Sequence, residues 1–338
     1  MAFRASRALL QSFNLRPSFE LALRSSCLQL VLARWGLETA ALMGVKGEQT
    51  SNDDERKVRA VEAITRAMYE SGLDDHATAA EKTMLEKPYR CWEYEDYTYG
   101  DHWEAFGVLQ WLLGRQHKIP PYHSNFDRAR LFQSTGIMPA DPSTVEKFVD
   151  PFMAPQTHQS LDMKQLQREI DVAEAWLWRA RAQVLLGLRE DLDKAEQQGS
   201  AAATGDETPA EALLRTKHIP HSLRKMAREM PKTIPIAARQ ARDRGLVDAL
   251  EGGDFAILVE MKENTGSGSS GTNTNTNTTT TTTVPYANLD SNHQDAIRKI
   301  AESRFLAFAW AVGKAKEWDA DAVSELVSIN PISSVWTA

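Results

Sequence analysis

A chain of 338 residues, 42% apolar and 25% charged, is long enough to bury a sizeable core, which excludes a wholly disordered or fibrous protein. A net charge of −7 argues against nucleic acid as a general partner. Two cysteines, Cys27 and Cys91, make neither a disulfide framework nor a zinc site, and no apolar run reaches the ~20 residues of a membrane-spanning helix. A reducing compartment and no membrane partner are therefore expected.

Residues 1–18 carry Arg4, Arg7 and Arg16 among serines, with no acid before Glu20, and Phe3, Leu9, Leu10 and Phe13 share one helical arc. Such a start reads as a targeting or disordered segment, leaving cytoplasm and mitochondrial matrix both open. A helix is expected from Phe19 to about Met43, stopped by Gly44. Val58, Val61, Ile64, Ala67 and Met68 give a second, ending at Gly72. A short helix follows over Thr78–Leu85, closed by Pro88. Residues 89–99 are dense in aromatics and acids, read as rings sealing a core while the carboxylates face water. Cys91, with no basic partner in view, reads as an ordinary buried cysteine.

The stretch Asp101–Gly114 organises the chain. From Trp103 to Leu113 only Glu104, Gly107 and Gln110 are not clearly apolar. A helix apolar almost all round belongs in the middle of a bundle. Asp101 is its expected N-cap, with Glu104 in a capping-box position and Gly114 as its stop. Pro120-Pro121-Tyr122 breaks the chain, Ser124 is placed to cap a helix to Phe132, and Asp141-Pro142-Ser143 opens another to about Phe152.

Residues 161–190 form the longest predicted helix, with a seam of Leu166, Ile170, Ala173, Leu177, Ala180, Val184 and Leu188 flanked by Trp176 and Trp178. A polar linker, 197–209, precedes a basic stretch over 215–244 that lacks the aromatics of a base-stacking surface and reads as a solvated helical face. Gly245 ends it. Phe255–Val259 is the one clear strand. Residues 264–284, Gly/Ser then Asn/Thr with six threonines from Thr278, are expected to be a disordered insertion. A helix over 291–316 places Arg304 inside an apolar stripe, and a short helix over about 319–328 ends before Pro331. The sum is a mainly α fold: a multi-helix bundle around a central apolar helix, with at most a short strand region, residues 19–330 forming one domain.

Glu104 and Arg304 are the best polar constellation, because each sits on a helix otherwise apolar and neither charge is tolerable there alone. They are expected to pair, with Asp101 or Asp319 as a second acid, and an ion pair locking two core helices is the simplest meaning. The functional alternative is a pocket holding Glu104, Arg304, Trp103, Trp111, Trp178 and Trp310, with Trp92, Tyr94 and Trp176 beside them. Asp101-His102-x-Glu104 hints at metal ligation, but there is no His-Glu-x-x-His and no Cys-x-x-Cys, so no metal is expected. Neither a nucleophile elbow nor a phosphate loop is present; no catalytic residue and no cofactor is assigned.

Four pieces of the chain, in order, carry a resemblance. They are Gly72-Leu73 with Glu81-Lys82-Thr83-Met84-Leu85-Glu86-Lys87-Pro88; Trp103–Gly114 followed by Pro120-Pro121; Trp176-Leu177-Trp178-Arg179-Ala180-Arg181; and a C-terminal series of Gly252–Phe255, Tyr286–Leu289, Ile300–Phe305, Ala309-Trp310 and Trp318-Asp319. Together they resemble the family of bacterial and eukaryotic proteins known as the domain of unknown function numbered 4272. The chain departs from it where the family's Glu-Arg-His is Ser303-Arg304-Phe305 and its Asn-Trp is Ala309-Trp310. Any acid-base chemistry resting on that Glu and His is lost here. The resemblance implies a helical fold and brings no activity with it. The expectation is a non-enzymatic interaction or scaffold domain with a protein partner. The alternative is a small-ligand-binding or hydrolytic domain with an aromatic pocket around Glu104 and Arg304.

Overall fold

The structure is a computed structural model that describes residues 14–44, 51–154, 161–201, 219–263, 278–319 and 326–327. The chain divides into two compact units, Met1–Ala173 with Lys299–Leu326, and Glu174–Arg298 with Val327–Ala338. The fold is mainly α, with one small three-stranded sheet.

The first unit is built on α1 (Ser18–Met43), α2 (Ser51–Glu70), α3 (Ala79–Glu86), α4 (Tyr94–Tyr97), α5 (Trp103–Leu112), α6 (Arg128–Thr135) and α7 (Ser143–Val149). It also takes α8 (Met163–Ala201) as far as Ala173 and α10 (Ser291–Ala311) from Lys299. All ten residues of α5 are buried, as its composition demands. It shares the centre with α1, which packs against α2, α5 and α7 and buries Arg24, Ser25, Ser26, Gln29, Arg34 and Glu38 as well as its leucines. The second unit holds the rest of α8 and α10, α9 (His221–Asp243), and the antiparallel strands β1 (Leu250–Glu251), β2 (Asp254–Glu263) and β3 (Thr278–Pro285) in the order β1-β2-β3. In α9, Ala227, Met230, Ile234, Ala237, Ala238 and Ala241 are buried, while Arg228, Lys232, Arg239 and Arg242 face solvent.

Several local expectations are corrected. The turn into α5 is a 3-10 helix, Thr98–His102, and neither Asp101 nor Glu104 caps the helix. Asp101 faces Lys299 at 3.5 Å instead. Asp127, not Ser124, caps α6 by accepting from the Arg130 N–H at 3.1 Å. The α8 seam holds through Ala180, but Val184 is 62% exposed and Leu185 and Leu192 take its place inside. A strict seven-residue repeat drifts ~20° per heptad around a straight helix, so the seam leaves the buried face after about two heptads. Helix α8 also runs on to Ala201, through the start of the expected linker. Thr278–Thr283, expected to be disordered, pair with β2 in a register running from Glu263↔Thr278 to Ala256↔Pro285. Threonine is β-branched, so a polar run unable to build a core still suits a strand. Cys91 is exposed, and Cys27 is the buried thiol. Residues 1–13, 202–218, 264–277 and 320–325 lie outside the described residues, and with them most of the expected targeting segment, insertion and last helix.

Candidate functional site

Arg304 and Glu104 meet as a buried pair in the first unit. The Arg304 Nε and Nη2 donate to Glu104 Oε2 at 2.9 and 2.7 Å, and the guanidinium has no exposed surface. Its Nη1 donates to the Pro120 carbonyl at 2.6 Å and its Nη2 to that of Ser124 at 2.8 Å. Glu104 Oε1 accepts from the Phe126 N–H at 3.0 Å, and the guanidinium lies 4.7 and 5.1 Å from the centres of the Tyr122 and Phe126 rings. Gly107 lets the returning loop lie on the helix, since a Cβ there would overlap the Phe126 ring. Both Glu104 oxygens are thus taken by groups of the chain itself. Such an arrangement fixes a loop; it offers no free acid or base for chemistry.

Among the described residues three further arginine–carboxylate pairs are buried, and none stood out in the sequence. Arg34 and Glu38 pair at 2.7 Å one turn apart on α1; Arg34 Nη2 also donates to the Lys87 and Pro88 carbonyls, and both Glu38 oxygens accept from the Arg90 N–H. Arg90 has a φ of +67°, a left-handed backbone this contact holds in place. In the second unit, Arg179 grips Asp254 at 2.5 and 2.6 Å, while Asp254 accepts from the Ala287 N–H at 3.1 Å. The fourth pair, Arg24 with Glu81, belongs to a wider cluster. Glu81 completes a capping box with Thr78 and also accepts from the Tyr99 hydroxyl; His102 stacks on the Tyr99 ring at 4.1 Å; and Arg24 lies 4.4 Å over the Trp318 ring. Burial pushes the Glu81 carboxyl up, but Arg24, Tyr99 and the Thr78 N–H together outweigh it and hold it at about 2. Burial lowers His102 to about 4, so its imidazole is neutral at neutral pH. The one signal available beforehand was an arginine or glutamate in line with buried apolar positions, as with Arg24 beside Leu21 and Leu28.

Among the described residues most of the predicted aromatics pack against core groups of their own unit. Trp111 packs edge-on against Phe308 at 6.0 Å, Trp310 against Trp318 at 5.5 Å, and Trp92 donates its indole N–H to the Met84 carbonyl at 3.0 Å. Tyr94 is 83% exposed. Trp178 and Trp176 are buried in the second unit, Trp176 against Phe255 at 5.4 Å. Of the six binding candidates, Trp103 lines a cleft in the first unit. That cleft, about 640 Å³, is a feature the sequence did not reveal. Helix α1 lines it with Leu32, Gly36 and Leu37, α2 with Ala60, Ala63 and Ile64, and α6 with Arg128, Ala129 and Phe132. Small side chains on three helices leave the space that larger ones would fill.

Among the described residues no three His, Cys, Asp or Glu side chains gather as a metal would require, and no helix is long and apolar enough to cross a membrane. No protein family, curated protein or solved structure matches this chain.

Proposed function

We propose that this protein is a non-enzymatic helical binding module whose recognition surface is the apolar cleft between α1, α2 and α6. The observation that carries the reading is the contrast between its two kinds of site. The buried charged groups are committed to one another and to the protein's own backbone, as at Glu104 and Arg304, whereas the cleft presents apolar walls. Apolar clefts of about 300–1,000 Å³ with few polar groups are the usual form of a small-molecule site, so its volume fits a small molecule better than a protein segment. The likeness to the domain of unknown function numbered 4272 rests on residue order and adds no activity.

The test is binding of an environment-sensitive apolar dye to the full chain and to Ala63→Phe, which places a ring in the cleft. Dye fluorescence falls at least tenfold in the variant while its circular dichroism stays that of the wild type. Equal dye binding by both proteins overturns the reading.

A further inference from the structure

Arg128 stands on the wall of the cleft, exposed at the first turn of α6, and its guanidinium meets no carboxylate among the described residues; it lies 5.4 Å from the centre of the Trp35 ring. Among the described residues that line the cleft it alone carries a charge. Gly36 sits inside α1, where glycine weakens a helix, and a Cβ there would meet nothing within 4 Å. Internal packing therefore does not require glycine at this position, and its bare surface leaves room for an occupant to approach.

We infer that the cleft binds an amphipathic monocarboxylate: an apolar chain lying along Leu32, Gly36, Ala63 and Ile64, with its carboxylate on the Arg128 guanidinium. The inference rests on the proposed binding role and gives it a ligand class. A carboxylate is an acceptor-only group whose two oxygens match the guanidinium fork, and charge-assisted hydrogen bonds of this kind are the strong ones. An alcohol or ester of the same chain length would fill the same volume and forgo the charged contact.

Calorimetric titration of the full chain with dodecanoate and with dodecanol tests this. Dodecanoate binds at least tenfold tighter than dodecanol to the wild type. Arg128→Gln, a surface change, brings the two within twofold. Gly36→Ala raises the melting temperature yet weakens both ligands, which separates loss of binding from loss of folding. Equal binding of the two ligands overturns the carboxylate inference and leaves the cleft reading standing. Binding of neither, with dye binding lost in Ala63→Phe, does the same. Binding of neither, with dye binding unchanged in that variant, overturns both.

Discussion

Replacing Arg304 by methionine strips the central loop of its tether. The variant keeps the length of the side chain and loses the charge, so Glu104 is left buried with the Phe126 N–H as its remaining donor. The Pro120 and Ser124 carbonyls lose their partners as well. An unpaired buried polar group costs about 1–3 kcal/mol, and breaking a buried ion pair from one side about 3–5 kcal/mol. Taking the second figure for the whole lesion, the melting temperature falls by about 6–20 °C for a domain of this size. Replacing both partners, Glu104→Leu with Arg304→Met, removes the stranded charge but not the stranded carbonyls. The double variant is therefore more stable than Arg304→Met by at least about 1 kcal/mol, a coupling that contacting residues show and distant ones do not. Urea unfolding followed by circular dichroism measures all four corners of the cycle. A loss under about 1 kcal/mol in Arg304→Met, or strict additivity in the double variant, would refute the clamp.

The carboxyl of Glu81, held at about 2 in the folded protein against an ordinary 4.5, stabilises the fold above pH 4.5 and loses that effect as the pH falls toward 2. Melting temperature should drop more steeply between pH 5 and 2 for the wild type than for Glu81→Gln; parallel curves would contradict the assignment. His102 acts in the other window. Its folded value of about 4 lies below the ordinary 6.5, so only the unfolded chain takes up a proton between these values, and stability falls from pH 6.5 down to 4. His102→Gln flattens that slope, and the imidazole of the wild type titrates near 4 by NMR. Gly107→Ala drives a methyl into the Phe126 ring and costs about 1–3 kcal/mol in urea unfolding, and Phe126→Leu on top of it recovers part of the loss. Only Cys91 of the two thiols reacts with Ellman's reagent in the native protein, since Cys27 is buried and its thiol is pushed up to about 12; two reactive thiols before denaturation would contradict the packing of α1.

Periodicity and punctuation carried most of the helices. Met43 and Gly44, Gly72, Thr78 with Glu81, Gly114 and Gly245 end or begin elements as their residue types require, because capping and left-handed turns are local matters. The Glu104–Arg304 pair was legible too, since a lone charge on an apolar helix demands a partner, and few candidates existed. What stayed hidden depends on contacts between distant segments. Arg34 and Glu38 have the i,i+4 spacing of an ordinary surface pair, and only the packing of α1 against its neighbours puts both inside. The cleft has no periodic signal at all: alanines and a glycine on three helices are each unremarkable, and only their convergence leaves space. The aromatic pocket stood only as an alternative, because counting aromatics cannot tell rings that fill a core from rings that border a void.

Three of the four buried arginines described, Arg24, Arg34 and Arg304, share one physical job. Each reaches past its carboxylate partner to backbone groups in a loop with few regular partners of its own: Arg24 to the His76 carbonyl at 3.2 Å, Arg34 to Lys87 and Pro88, Arg304 to Pro120 and Ser124. A guanidinium suits this because its planar fork serves a carboxylate and a carbonyl at once without losing its charge. The loop that Arg304 holds leads directly into α6, which carries Arg128, Ala129 and Phe132 on the wall of the cleft. The clamp thereby sets the position of one wall of the cleft. Charge in this core is spent on geometry, and that geometry shapes the apolar site.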